Sequence, residues 1–344
     1  MVSRIGILTG GGDCPGLNAA IRAVVRRADA HNVQTWGFRS GWKGVLEQEA
    51  EQLTLASTRG LLHRGGTILG TSRVDPYREP DGVARIREAL EVHLLDGLIV
   101  IGGEGTLSAS AVLHRDEGIP IIGVPKTIDN DVGGTELTIG FLTAVDTATD
   151  AVDKLHATAE SHNRVMVLEV MGRNAGWIAT FAGMAGGADA ILIPEVPFDI
   201  NAVCRHLKHR AGMGRDFSIV VVAEGAQPVQ GTIELDPPPL DEFGRPKLGG
   251  IGHTIAHEIE ERTGFPARIT TLGHVQRGGS PNAMDRVLAT RMGVKAADLA
   301  MSSMWGQMTG FNAGVVGPVP LVDATAEPSL VPPELHAVAK VFFG

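Results

Sequence analysis

Seven short apolar runs rich in β-branched residues punctuate the chain, each closed by a turn of glycine and polar residues. They are IGILTGGGD from Ile5, GLIVIGGEGT from Gly97, IPIIGVPKTID from Ile119, VMVLEVMGR from Val165, AILIPEV from Ala190, SIVVVAEGA from Ser218 and ITTLGHVQRGG from Ile269. Runs of four to six residues that are apolar on both faces predict the buried strands of a parallel sheet, since a half-exposed antiparallel strand alternates. Stretches of helical period separate most of them. After the first run, Leu17, Ile21, Val24 and Ala28 fall at i, i+4, i+7 and i+11, one apolar face of a helix. Strand alternating with helix predicts an α/β fold with helices over both faces of mainly parallel sheets.

A domain boundary is expected near Gly140, where a long helical segment begins at Phe141 and runs to His156. The stretch Gln227 to Gly252, with Pro237-Pro238-Pro239, reads as an exposed excursion between a strand and a helix. From Gly317 the chain is Pro-rich until a short helix predicted over 333–342.

The length of 344 residues fits two domains or one large one. With 43% hydrophobic and 20% charged residues, the chain can bury a core. Its 30 Lys+Arg against 39 Asp+Glu leave a net charge of −9, which argues against sequence-independent binding to nucleic acid or an anionic membrane. No apolar run approaches the roughly 18–20 residues of a membrane span, and Met1 leads directly into a strand-like segment instead of a signal peptide. Cys14 and Cys204 are the two cysteines, too few for a disulfide framework or a thiolate metal cluster. A cytoplasmic globular protein is expected. Glycine is the outlier at 45 of 344 residues, against a usual share of about 7%, and it gathers at the ends of the apolar runs.

Ligands of open α/β sheets sit beyond the carboxyl ends of the strands. There the chain places three loops with phosphate chemistry. Gly10-Gly11-Gly12-Asp13 opens a helix with Pro15 near its start, and free N–H groups at a helix start attract anions. It is neither a P-loop nor a clean G-x-G-x-x-G. Gly102-Gly103-Glu104-Gly105-Thr106 repeats the arrangement around a carboxylate that suits Mg²⁺, although an acid there also suits a helix dipole. Pro125-Lys126-Thr127-Ile128-Asp129-Asn130-Asp131 joins two carboxylates to a lysine and a hydroxyl, a set suited to phosphoryl transfer to an alcohol. Asp- and Asn-rich turns are also common structure. Later strands add cations in Arg164, Arg173, Arg268, His274 and Arg277, and Arg73 follows GGTILGTSR. Arginine forks match phosphate oxygens, so these groups imply a local anion site in an acidic protein.

Taken in order, ILTGGGDCPGLNAAIR, GGTILGTSR, GGEGT, PKTIDND, TIGFLTA, SHNR, EVMGR, PEV, AEG and LGHVQRGGSPNAMDR resemble the 6-phosphofructokinase family over nearly the whole chain. The marks are those of an actinobacterial-type group that mixes ATP and pyrophosphate features. The resemblance implies two doubly wound α/β domains with the active site in the cleft between them. It assigns 1–140 plus 277–325 to the phosphoryl donor and 141–276 plus 326–344 to the sugar phosphate. It implies transfer of the γ-phosphoryl of Mg-ATP to the 1-hydroxyl of fructose 6-phosphate, by subunits assembled as a homotetramer. Asp129 corresponds to the family's base, with Thr127 and Ile128 lining the substrate site and Asp131 close to the transferring group. Arg173 stabilises that group, while Met171, Gly172 and Glu224 complete the sugar pocket. Arg268, His274, Val275, Gln276 and Arg277 belong to the 6-phosphate site, and Arg164 is inserted into a neighbouring subunit's site. Gly11, Arg73, Val74, Gly103, Gly105 and Thr106 cradle the donor, and Glu104 stands where an aspartate is commonly associated with Mg²⁺.

Two residues bear on the donor. Pyrophosphate users typically carry Asp at the position of Gly105 and Lys at that of Lys126, whereas typical bacterial ATP users have Gly at both. This chain takes one mark from each. A side chain at 105 would fill and repel the place of a nucleotide α-phosphate, so Gly105 argues for ATP. The alternatives are a pyrophosphate-dependent enzyme on the same scaffold and, remotely, a non-catalytic regulatory subunit, against which the presence of Asp129 and Arg173 speaks.

Overall fold

The computed structural model describes residues 2–233, 240, 248–341 and 343. Pro237-Pro238-Pro239 and Phe342 lie outside the described residues. The chain divides into two compact units, Met1–Thr143 with Arg277–Ser329, and Ala144–Gln276 with Leu330–Gly344.

The first unit begins with β1 (Arg4–Thr9), α1 (Leu17–Asp29), β2 (Gln34–Phe38), α2 (Trp42–Leu46), β3 (Ala50–Leu53) and α3 (Gly82–Val92). There follow β4 (Gly97–Gly102), α4 (Glu104–Glu117), β5 (Ile121–Thr127) and the two-residue β6 (Ile139–Gly140). Helix α5 (Phe141–His162) carries the chain into the second unit, which contains β7 (Val165–Val170), α6 (Trp177–Ala185), β8 (Ala190–Leu192), α7 (Ile200–Gly212), β9 (Ser218–Ala223), α8 (Ile251–Thr263) and β10 (Ala267–Thr271). The chain then returns to the first unit through α9 (Ala283–Met301), β11 (Gln307–Asn312), β12 (Val315–Pro320) and α10 (Leu321–Ala324), and ends on α11 (Pro333–Lys340) in the second.

All seven apolar runs are strands, and β4, β5, β7 and β9 are buried along their whole length. The four predicted positions of α1 are buried, and so are Ala20 and Val25, because α1 also packs against α9. The first sheet runs β12-β11-β5-β4-β1-β2-β3, parallel in its centre, with β3 and β12 antiparallel at the edges and β6 paired to β5. The Pro-rich tail after Gly317 begins in one of these edges. Pro318 and Pro320 lie in β12, where their missing N–H groups face no further strand.

The order of strands fixes where a ligand can enter. From β1 the chain moves through α1 to β2 on one side, then through α3 to β4 on the other. The direction therefore reverses between β1 and β4, the switch point at which open α/β sheets bind ligands. The second sheet, β10-β7-β9-β8, is parallel throughout, and its adjacent strands β7 and β9 send the chain in opposite directions, to β8 and to β10. Apolar strand faces pack under helices in both units, with Val167, Val220 and Val222 against Ile255 and Ile259 of α8 in the second.

Candidate active site

The switch point of the first unit is flanked by the two glycine loops. Gly10 N donates to Ile101 O at 3.0 Å, locking the start of one loop to the end of β4. Thr106, in the first turn of α4, fills the space between them, and a Cβ on Gly10 would stand 2.7 Å from its methyl group. Gly11 has φ +79°, a conformation costly for other residues, and its N–H donates to Ser72 O at 2.9 Å. Thr71 Oγ1 donates to Gly11 O at 2.5 Å, so the GGTILGTSR segment is tied to the first loop and brings Arg73 and Val74 beside it. Asn18, buried on α1, holds that segment further back. Its Nδ2 donates to Arg64 O and Gly65 O, both at 3.1 Å, and its Oδ1 accepts from Ile68 N at 2.8 Å. Sequence reasoning passed over Asn18. A polar residue on the apolar face of LNAAIR was the signal.

Glu104 and Gly105 are exposed in the first turn of α4, and Ser108 Oγ donates to Glu104 Oε1 at 3.0 Å. The carboxylate therefore sits at the positive end of a helix next to a glycine cradle. At the end of β5, Asp129 is 3% exposed, and its N–H donates to Thr127 Oγ1 at 3.1 Å. Thr138 secures the loop from the other side, donating from Oγ1 to Thr127 O at 2.7 Å and from N to Asn130 Oδ1 at 2.8 Å. Asn130 takes the left-handed conformation at φ +54°, which asparagine tolerates better than most residues. Asp131 O accepts from Ser329 N at 3.0 Å. Ile128 is buried.

Lys126 is 2% exposed, and its Nζ reaches back to the first loop, donating to Gly10 O at 3.0 Å and to Gly12 O at 2.5 Å. Burial pulls its pKa down, and Arg277 adds to that, while Cys14, Asp129 and Asp13 oppose it. Burial also pushes the Cys14 thiol up to about 12. The Arg277 guanidinium lies over Gly12, where a Cβ would meet Nη1 at 2.5 Å, and donates to Asp13 O at 3.3 Å. Asp285, fully buried on α9, accepts from Gly140 N at 2.9 Å and Thr143 N at 2.8 Å, pinning the chain just beyond the carboxylate loop.

In the second unit the same end of the sheet carries Met171-Gly172-Arg173 after β7, Glu224 after β9, and, after β10, the 3₁₀ turn Gly273–Arg277, whose last residue already belongs to the first unit. Arg173 N donates to Glu224 Oε1 at 3.2 Å, and a Cβ on Gly225 would stand 1.9 Å from Arg173 O, so the two loops interlock. Arg173 has φ +53°, a left-handed backbone in a residue that pays for it, held by this interlock. Its side chain is exposed, as are His274 and Val275. Gln276 is buried and donates from Nε2 to Gly273 O at 3.1 Å, which shapes the turn.

Arg164 and Arg268 stand elsewhere. They lie at the N-terminal ends of β7 and β10, a strand length of roughly 15 Å from the turn that holds His274. A cavity of about 220 Å³ lies at that end, lined by residues including Arg164, Arg215, Phe217 and Phe265. Arg268 also pairs with Glu260 at 3.1 Å. Parallel strands place the two ends of a run on opposite edges of the sheet, which the run of residues alone does not reveal.

Comparison with known proteins decides the family. A phosphofructokinase family model matches residues 4–300. The chain belongs to the phosphofructokinase family. It is 52% identical over 343 residues to the ATP-dependent 6-phosphofructokinase of Mycobacterium tuberculosis, covering 99% of this chain and 100% of that one. It is also 50% identical over 342 residues to the pyrophosphate–fructose 6-phosphate 1-phosphotransferase of Streptomyces coelicolor, with coverage of 99% and 100%. Identity to these phosphofructokinases does not separate the two donors. Among solved structures, phosphofructokinase from Saccharomyces cerevisiae superimposes with a TM-score of 0.83 at 31% identity, over 99% of this chain and 46% of the yeast chain. This chain thus spans under half the length of the yeast one. A pyrophosphate-dependent phosphofructokinase from Marinobacter aquaeolei shares the fold, with a TM-score of 0.82 at 22% identity over 96% of this chain and 86% of that one.

Proposed function

We propose that the chain is an ATP-dependent 6-phosphofructokinase, transferring the γ-phosphoryl of ATP to the 1-hydroxyl of fructose 6-phosphate to give fructose 1,6-bisphosphate. The observation that carries the reading is the coincidence of both glycine loops with the β1/β4 switch point, with the Asp129 loop beside them at the end of β5. In this reading the first unit holds the donor and the second the sugar phosphate.

Asp129 accepts the proton of the attacking 1-hydroxyl on a carboxylate oxygen, and burial keeps water from competing for it. The loop of Gly103, Gly105 and Thr106 at the start of α4 receives the donor phosphates, Gly11, whose own N–H is bonded to Ser72 O, lets them approach, Arg73 and Val74 flank them, and Asp131 stands close to the transferring group. Arg173 balances charge on that group, with its backbone preset by Glu224. Glu224, Met171 and Gly172 orient the sugar, and His274 and Arg277 bind its 6-phosphate. Arg164, with Arg268 on the same edge, serves the sugar phosphate of a neighbouring copy in a homotetramer. The described residues contain no cluster of three metal-ligating side chains. Mg²⁺ needs only one or two carboxylates when phosphate oxygens complete its shell, and the exposed Glu104 beside the cradle fits that requirement. Held there by Glu104, such an ion would neutralise charge developing on the phosphates. The buried thiols of Cys14 and Cys204 fit a reducing, cytoplasmic compartment.

The donor is read from Gly105, whose exposed position in the first turn of α4 leaves room for an α-phosphate. The test is a coupled assay of fructose 6-phosphate turnover with MgATP and with pyrophosphate. Turnover with ATP supports the reading, turnover with pyrophosphate alone selects the other donor, and turnover with neither rejects both. Gly105→Asp is expected to weaken ATP use, and unchanged ATP kinetics would defeat the steric account.

A further inference from the structure

Two segments of the first unit, TIGFLT from Thr138 and PNAMDR from Pro281, carry no residue assigned to either substrate. The structure joins them to each other through one side chain. Asp285 is fully buried in the first turn of α9. Its Oδ1 accepts from Gly140 N at 2.9 Å, and its Oδ2 accepts from Thr143 N at 2.8 Å and from Thr143 Oγ1 at 2.5 Å. Thr143 Oγ1 accepts in turn from Asn282 N at 3.0 Å, while Asn282 Oδ1 accepts from Asp285 N at 2.8 Å and caps α9. Burying a carboxylate is costly unless its oxygens are satisfied. Here both oxygens accept, and the group stands in the first turn of α9 while bonding the first turn of α5, where helix dipoles favour negative charge.

What Asp285 holds is the support of the Asp129 loop. Ile139 and Gly140 form β6, which pairs with the end of β5, Ile139 beside Lys126 and Gly140 beside Thr127. Just before β6, Thr138 donates from N to Asn130 Oδ1 and from Oγ1 to Thr127 O. Asp129 lies between Thr127 and Asn130, so the segment 138–140 sets both flanks of it. The left-handed backbone of Asn130 persists only where such bonds hold it. The Ile139–Gly140 peptide is itself gripped twice. Cys14 Sγ donates to Ile139 O at 3.2 Å, and Asp285 takes the Gly140 N–H. In a trans peptide these two groups point in opposite directions, so the plane cannot tilt without breaking one bond or the other.

We infer that Asp285 is a positioning residue for phosphoryl transfer. It fixes the Ile139–Gly140 peptide and, through β6 and Thr138, the aim of the Asp129 carboxylate, while touching neither substrate. This rests on the reading of Asp129 as the base. The two segments without a substrate contact thus serve the reaction from behind.

The test is a double-mutant cycle in the full-length enzyme, run with whichever phosphoryl donor supports turnover, so that the choice of donor does not enter. Asp285→Asn keeps the shape but turns an amide NH₂ toward a group that donates, so one bond is lost whichever way the amide lies. It is expected to lower kcat about 10- to 100-fold and to leave KM for fructose 6-phosphate and for the donor within about twofold. In an Asp129→Asn background the same substitution should lower kcat by less than about twofold, because the group it aims is gone. A merely structural role, such as a smaller folded fraction, would cost the same factor in both backgrounds, and that result overturns the inference. An unchanged kcat, or a loss confined to KM, overturns it as well. If Asp285→Asn fails to fold, Thr143→Val removes the hydroxyl bonded to the carboxylate and Thr143→Ser keeps it. A kcat loss of about threefold or more in Thr143→Val, absent in Thr143→Ser and cancelled in the Asp129→Asn background, supports the inference, and a normal kcat in Thr143→Val refutes it. Near-wild-type turnover of Asp129→Asn alone dismisses the base, and this inference with it, a result distinct from equal losses in the two backgrounds.

Discussion

Replacing Gly12 with alanine adds one methyl group at a place where the structure says what must move. The new Cβ would lie 2.5 Å from Arg277 Nη1 and 3.0 Å from its Cζ. Carbon–nitrogen contacts settle near 3.5 Å, so the guanidinium must shift by about 1 Å. The obstacle is the far end of a flexible side chain, and its bond to Asp13 O is already long at 3.3 Å. The backbone of Gly12 is not among the positive-φ positions, so alanine fits it and reduces the entropy of the unfolded chain. Stability is therefore expected to stay within about 1 kcal/mol of wild type. Catalysis is expected to suffer more. If Arg277 grips the sugar 6-phosphate, a misplacement of that size costs a charge-assisted bond of about 1.5–3 kcal/mol, or roughly a 10- to 100-fold rise in KM for fructose 6-phosphate. Steady-state kinetics with each substrate varied in turn, beside a thermal melt, separates the two effects. A normal KM for fructose 6-phosphate with an intact melt would remove Arg277 from the sugar-phosphate site, and a rise confined to ATP would move it to the donor. Gly225→Ala is the contrasting case. Its Cβ would meet backbone at 1.9 Å, so the Arg173 loop itself must move, and stability and turnover should fall together.

Asp129→Asn removes the base with little change of shape, and turnover is expected to fall roughly 10²–10⁴-fold with near-normal binding of fructose 6-phosphate; near-wild-type turnover would dismiss Asp129 from that role. Arg164→Ala and Asp129→Asn should each be nearly inactive alone, yet partly regain activity when unfolded and refolded together, since a mixed assembly can pair an intact Arg164 with an intact Asp129. No regain on mixing would confine each site to one subunit. Asp96 accepts from Ser3 N at 2.7 Å, Ser3 Oγ at 3.3 Å and Arg4 N at 2.9 Å, all on one oxygen. Burial pushes this carboxyl up, but the bonds from Arg4 and Ser3 outweigh it and hold the group below its ordinary value of 3.8. A lowered folded-state pKa stabilises above the unfolded value and loses that contribution as pH falls through the folded value. Asp96→Asn keeps an acceptor and loses the charge, so it should cost about 1 kcal/mol at pH 7, after allowance for solvent screening, and almost nothing at a pH below the carboxyl's folded-state pKa. Urea unfolding at both pH values checks this, and an equal cost at both would show that the charge is not what matters.

The strands that carry the site were legible because each is a continuous apolar run, a signal confined to a few neighbouring residues. The outer strands were not. β2 reads QTWGF, with Gly37 packed so closely that a Cβ would meet Leu69 at 2.6 Å, and β12 contains Pro318 and Pro320. Glycine or proline interrupts each run, and the strands exist because neighbours offer hydrogen bonds, to β2 on both sides and to β12 on one. The chemistry of the loops was equally readable, since glycines, carboxylates and arginines stand where strands end.

What each side chain does with its chemistry required the fold. Nothing local to PKTID says that Lys126 is committed to carbonyls 114 and 116 residues earlier, or that Asn18 holds a segment 46 residues later. Arg268 and His274 are six positions apart in the chain, yet they occupy opposite edges of a sheet because the strand between them is extended. Periodicity and composition act between near neighbours and so determine the elements and their loops. Strand order, burial and hydrogen-bond partners depend on contacts between distant residues, which only the packed chain creates.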